Sequence, residues 1–135
     1  MIQKVSLKIL QNSSLAYNKF YSNHLNPSSI DFKREYYKDS KFSNYSIGIK
    51  NSKYQYFIPI TIESKKNKKY LNFFGNPVTL LLNKELNDQN FNDILDYLKK
   101  LDKDHKFEKI NLKIEIEKNQ FQEIKKKKYF ENFSN

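Results

Sequence analysis

Glycine and proline are scarce in this chain, with two glycines and three prolines in 135 residues. Pro59, Gly75 and Pro77 all stand between Tyr54 and Leu82. This stretch reads Tyr-Gln-Tyr-Phe-Ile-Pro-Ile-Thr-Ile-Glu, a basic loop, then Tyr-Leu-Asn-Phe-Phe-Gly-Asn-Pro-Val-Thr-Leu-Leu-Leu. Proline cannot donate to a strand ladder. Pro59, inside a β-rich run, therefore predicts a bulge or a point where the strand leaves its neighbour. Gly75 and Pro77 predict a tight turn at the end of a buried strand, where a ligand can meet a backbone.

The flanking residues supply the rest of the sheet. Tyr45, Ile47 and Ile49 alternate with Ser46 and Gly48, and after the polar Lys50–Lys53 the alternation resumes, which predicts a β-hairpin. Lys65–Lys69 is a charged turn into a strand at Tyr70–Phe74, and Val78–Leu82 is apolar but too short for periodicity to assign. Val5, Leu7 and Ile9 alternate with Ser6 and Lys8, predicting a short strand over Lys4–Leu10. Ser13 or Ser14 can cap a helix reaching His24, and Pro27 precedes a second one from Ser28 to about Lys38.

The clearest helix begins at Asn87 or Asp88. Phe91, Ile94, Leu95, Leu98 and Leu101 form one apolar stripe along it, and lysines gather near its C-terminus. Ile110, Leu112, Ile114 and Ile116 then alternate with polar residues, a strand with one wet face. Asn119 can cap a last helix carrying Phe121 and Ile124. Hairpins followed by a helix and another strand give an α+β fold: a mixed, largely antiparallel sheet flanked by helices, in one domain over 1–135.

Composition narrows the function. There is no cysteine, so disulfide scaffolds, thiolate nucleophiles and cysteine zinc sites are excluded. His24 and His105 are far apart in sequence, which argues against a histidine metal site. No run reaches the about 20 apolar residues that span a bilayer, and Lys4 and Lys8 interrupt any signal-like segment. The expected location is cytoplasmic, with the inner face of the membrane as a working surface. A net charge of +10 suits an anionic partner. Yet Arg34 is the sole arginine, and specific phosphate or base recognition favours that side chain. The lysine excess thus reads better as composition than as a binding surface.

No catalytic residue stands out. His24 is a candidate general base without an acidic orienter at a recognisable spacing, and a surface or helix-end position accounts for it better. His105 lies in what reads as a solvated helix-to-strand loop. Asp31 and Glu35 are spaced as paired carboxylates, but Arg34 and Lys38 on the same helix suggest surface ion pairing. Phe73, Phe74, Gly75 and Asn76 are the candidates for a substrate-cleft wall: Gly75 permits close backbone approach, and the Asn76 amide donates or accepts. A structural turn with Phe73 or Phe74 in the core fits the same residues.

Tyr45–Ile49, Tyr56-Phe57-Ile58-Pro59-Ile60 and Leu71-Asn72-Phe73-Phe74-Gly75-Asn76-Pro77, followed by the helix at Asn87–Leu101 and the strand at Lys109–Glu117, resemble the N-terminal half of a GNAT-fold acyltransferase of the Fem type. Such proteins include peptidoglycan aminoacyl transferases and surface-polysaccharide acyltransferases. The likeness covers most of the chain and rests on pattern. It implies an acyl- or aminoacyl-transferase role in cell-envelope biosynthesis, with acyl-CoA or aminoacyl-tRNA as donor and a nucleotide- or lipid-linked anionic substrate. It also implies a second GNAT-like half, downstream or in a separate chain, closing the cleft. The sequence departs from the pattern in lacking a Gly-rich turn that would cradle a pyrophosphate at a helix N-terminus. The chain alone is therefore expected to bind no cofactor and to be inactive. The alternative is a basic, aromatic-rich module that binds nucleic acid or another protein.

Overall fold

The computed structural model describes residues 2–12, 27–50, 55–82, 86 and 88–116. The expected helices at Ser13–His24 and after Asn119 and the hairpin turn at 51–54 lie outside these residues, as does His24. The fold is α+β. Strand β1 (Ile2–Lys4) leads to two helices, α1 (Leu7–Asn12) and α2 (Pro27–Tyr36). Strands β2 (Lys41–Asn44), β3 (Ile47–Lys50), β4 (Gln55–Ile58), β5 (Thr61–Lys65), β6 (Lys68–Asn72) and β7 (Val78–Leu82) follow. Helix α3 (Asp88–His105) then precedes β8 (Lys109–Ile110) and β9 (Leu112–Ile116).

The strand expected over Lys4–Leu10 is corrected: only its first residue is extended, and Leu7 onward is helical. Ser6 makes the difference. Its Oγ accepts from the Ile9 N–H at 3.1 Å, and its carbonyl accepts from the Leu10 N–H at 3.2 Å, which satisfies donors that a helix start leaves open. Leu10 is buried while Ile9 is half exposed, a burial pattern that strict alternation does not produce.

Strands β2 and β3 are two parts of one run, and β4 and β5 are two parts of its antiparallel partner. Asn44 pairs with Thr61 and Ile47 with Ile58 in an unbroken register. Pro59 therefore creates no bulge. It interrupts the ladder without adding a residue, and the buried Ser46 fills the gap. Ser46 Oγ accepts from the Ile60 N–H at 2.9 Å and donates to the Ile60 carbonyl at 3.2 Å, while Tyr45 N–H donates to that carbonyl at 2.9 Å. The side-chain phase is kept as well: Tyr56, Ile58, Ile60 and Ile62 all enter the same core.

Strand β1 adds antiparallel to β3, and β6 adds antiparallel to β5 through a two-residue turn. In that turn Lys66 and Asn67 have φ of 50° and 65°, the left-handed pair that type I′ hairpins require. Lys66 is not a residue that turn prefers, and Asn67 stands where glycine is favoured most. Replacing Lys66→Asn together with Asn67→Gly is expected to stabilise the fold by about 0.5–1 kcal/mol, read as a higher urea midpoint at constant slope. A lower midpoint would show that the native side chains hold the turn by other means.

The parallel part of the sheet is built around α3. β6 pairs with β8 and β7 with β9, both parallel. Leu71 faces Ile110 and Val78 faces Leu112, so residues 72–77 face Asn111 alone. Asn111 bridges the interruption: its N–H donates to the Leu71 carbonyl at 2.9 Å, and its carbonyl accepts from Val78 N–H at 2.8 Å. A long loop is thus inserted into one strand of a parallel pair. The Tyr56 hydroxyl donates to the Leu81 carbonyl, joining β4 to β7.

The strands group as β1-β3-β4, β2-β5-β6-β8 and the pair β7-β9, and together they have two buried faces. One carries Ile47, Ile49, Tyr56, Ile58, Ile60, Ile62, Leu71, Leu80 and Leu82, and packs against the whole apolar stripe of α3. The other carries Phe57, Phe73 and Phe74 against Leu10 of α1 and Ile30 of α2. Gly48 faces Phe57 across the ladder, and a Cβ there would lie 3.1 Å from the Phe57 ring. The aromatic ring occupies the space that glycine leaves.

Candidate functional site

The inserted loop between β6 and β7 is the most unusual local structure among the described residues. Phe73 N–H donates to the Asn76 carbonyl at 2.7 Å, and Asn76 N–H returns a bond to the Phe73 carbonyl at 3.0 Å. The two residues between them, Phe74 and Gly75, have φ of 47° and 87°. Both are left-handed, as in a type I′ turn. Glycine adopts this conformation freely, but a phenylalanine there is strained by roughly 1–2 kcal/mol.

Burial and hydrogen bonding offset the strain. Phe73 and Phe74 are 2% and 1% exposed, and their rings meet edge to face at 5.1 Å. Thr61 Oγ1, fully buried, accepts from the Phe74 N–H at 2.9 Å, and its own proton serves Asn72, whose backbone and side-chain oxygens lie at 2.9 and 3.1 Å. Asn72 Oδ1 also accepts from the Gly75 N–H at 3.3 Å, and the Asn72 amide donates to Glu63 Oε1 at 2.8 Å. Glu63 in turn accepts from the Ser40 hydroxyl. Threonine and asparagine in the middle of apolar strand runs were the sequence signal for this network, since buried polar groups need partners.

The four expected cleft residues therefore divide. Phe73 and Phe74 are core, and Gly75 and Asn76 sit at the half-buried rim. All four N–H groups of the turn already donate within the protein, and Pro77 has none. The turn can offer a ligand the Asn76 side-chain amide and carbonyl oxygens, but no backbone N–H for an anion.

The C-terminal end of α2 and Tyr37, the residue after it, cover this turn. The Tyr37 phenol lies directly over Gly75, with its Cζ and hydroxyl each 2.9 Å from where a Cβ would stand. Tyr37 meets Phe42 edge-on at 5.9 Å, and Phe42 meets Phe74 at 5.0 Å. The Arg34 guanidinium stands 5.5 Å from the Phe74 ring centroid, a cation–π distance. The ion pairs expected between Asp31 or Glu35 and Arg34 or Lys38 do not form among the described residues. The arginine turns to an aromatic ring forty positions away, a partner that helical spacing could not reveal.

His105 is likewise better packed than a solvated loop position implies. Its ring stacks on Phe107 at 5.7 Å and meets Tyr45 edge-on at 5.5 Å. The Lys69 ammonium lies 3.3 Å from His105 Nδ1. The Lys4 ammonium lies 5.8 Å from the Tyr45 ring centroid. The Tyr97 hydroxyl donates to the Tyr45 carbonyl at 3.1 Å. Burial, with a contribution from Tyr45, pushes Tyr97 up to about 12, so the phenol keeps its donor proton well into the alkaline range.

Lys66 and Lys68 of the Lys65–Lys69 turn face water. Lys68 reaches Glu108 at 3.8 Å with both side chains more than half exposed, a pairing that contributes little. Among the described residues no group of three histidines, acids or cysteines gathers as a metal site, and no helix is long and apolar enough to cross a membrane. Compared with known protein families, curated proteins and solved structures, the chain matches none.

Proposed function

We propose that the chain is one half of a Fem-type, GNAT-like acyl- or aminoacyl-transferase of cell-envelope biosynthesis, and that it contributes one wall of the substrate cleft. One observation carries this reading. An antiparallel run with Pro59 at its centre leads into a strand opened by Phe73–Pro77, then a crossover helix and a parallel strand. This is the order of elements that the resemblance asks for. The rim of the opened strand, at Gly75 and Asn76, is where the wall would meet substrate. Amide formation then needs an activated acyl donor, an amine and a polarised carbonyl. The turn has no free backbone N–H to polarise a carbonyl, so an oxyanion hole built from backbone donors, like the donor site, would come from the second half.

The reading predicts an inactive single chain. Purified protein given acyl-CoA or aminoacyl-tRNA is expected to transfer nothing to an amine acceptor. Transfer is expected when the chain is co-expressed with the polypeptide encoded directly downstream. Turnover by the single chain would overturn the half-domain assignment, and no turnover by the pair would overturn the transferase assignment.

A second reading rests on the Lys4, Tyr45, Lys69, His105 and Phe107 patch, which interleaves cations with aromatic rings as single-strand binders do. Its signature would be affinity for single-stranded nucleic acid that falls steeply with salt. Absence of binding at low salt would remove it.

A further inference from the structure

We propose that Arg34 and the Tyr37 hydroxyl, at the Gly75–Asn76 rim, form a binding site for an oxyanion: the carboxylate or phosphoryl group of a small ligand. Arg34 makes no ion pair among the described residues, although Asp31 and Glu35 are its helix neighbours. Its guanidinium is placed instead by the Phe74 ring, 5.5 Å below. A guanidinium drawn to a ring face keeps N–H donors that the ring does not use. One turn further along the chain, the Tyr37 hydroxyl has no hydrogen-bond partner among the described residues and lies 2.9 Å from the missing Cβ of Gly75. The side-chain amide of Asn76, the next residue after Gly75, is also without a partner among the described residues.

These groups supply donors from three side chains, and an oxyanion only accepts. The nearby strained residue supports the same conclusion. Phe74 holds a left-handed conformation that the surrounding network must enforce, and strain of this kind collects at ligand sites. The alternative is that Arg34 serves only the C-terminal end of α2, where a cation is favourable. That role requires no anion binding. The site shares its turn with the proposed cleft wall and rests on that reading for the ligand's identity as a substrate. Ion binding itself is measured without any acyl donor. Its failure removes this site and leaves the transferase reading to its own assay.

The chain is well suited to a direct test. Arg34 is the only arginine, and there are only two glycines. Protein labelled with ¹⁵N-arginine and ¹⁵N-glycine gives one guanidinium signal, a rim reporter at Gly75 and a buried control at Gly48. Titrations use inorganic phosphate, acetate and, for ionic strength, chloride. Phosphate or acetate is expected to shift the Arg34 Nε–H and Gly75 signals together, saturating in the millimolar range while Gly48 stays still; which anion saturates names the ligand group. Tyr37→Phe keeps the ring over Gly75 and is expected to weaken binding about fivefold. Arg34→Lys, followed at Gly75, is expected to weaken it about tenfold. Shifts that stay linear, that chloride reproduces, or that survive Arg34→Lys at the same midpoint would overturn the proposal.

Discussion

Replacing Gly75 with alanine is expected to destabilise the protein by about 2–4 kcal/mol, among the larger effects of a single methyl group. Two separate penalties combine. The backbone at φ 87° lies outside what a residue with a Cβ adopts comfortably, which costs about 1–2 kcal/mol. The new methyl would also stand 2.9 Å from both Cζ and the hydroxyl of Tyr37, closer than side chains pack. Moving the phenol disturbs its contact with Phe42, and through that ring the packing of Phe74. A double-mutant cycle separates the terms. Adding Tyr37→Ala should relieve the steric part of the Gly75→Ala loss and leave the backbone part. The measurement is the urea midpoint at constant slope. A loss below about 0.5 kcal/mol, the range of ordinary surface changes, would mean that the turn does not hold this geometry.

Ser46→Ala is the second large expected loss, at about 2–3 kcal/mol. Ser46 is fully buried, and its hydroxyl supplies the acceptor that the Ile60 N–H lacks in the ladder beside Pro59, while donating to the Ile60 carbonyl. Without it the Ile60 carbonyl still accepts from Tyr45 N–H, but the Ile60 N–H is buried with no acceptor. Leaving a buried donor unmade costs more than a normal hydrogen bond contributes. Hydrogen exchange gives a local readout. The Ile60 amide should exchange faster in the variant by more than the change in global stability explains. Equal acceleration at all core amides would show that the hydroxyl fills space and does not replace a ladder bond.

What could be read from the sequence follows the range of the interactions. The α3 stripe was legible because its five apolar residues repeat at the helical period, and all five are buried. The hairpin on either side of Pro59 was legible because alternation held across it. The run from Val5 to Ile9 misled because five residues satisfy an alternating pattern equally well when a serine cap starts a helix. At Pro59 a bulge and an in-register gap look alike until the partner strand is known, and Ser46 is thirteen residues away. Contacts of Arg34 with Phe74, of Tyr37 with Gly75 and of His105 with Tyr45 each join distant segments. No spacing rule could find them, although a lone arginine and a threonine within an apolar strand were signs that something polar was being built.

The gap at Pro59 also acts as a register lock. Adjacent residues of β4 enter opposite cores, Phe57 one and Tyr56 and Ile58 the other. A slip by one position would send every side chain to the wrong face. Hydrophobic pattern alone resists this weakly here, because both faces are apolar. The pairing of Ser46 with Ile60 is more selective. Sliding the strand by one residue either way sets Tyr45 or Ile47 where the serine stood, and neither carries a short hydroxyl that can accept from the Ile60 N–H. At the interruption beside Pro59, a one-residue slip in either direction would thus leave the buried Ile60 N–H without its acceptor.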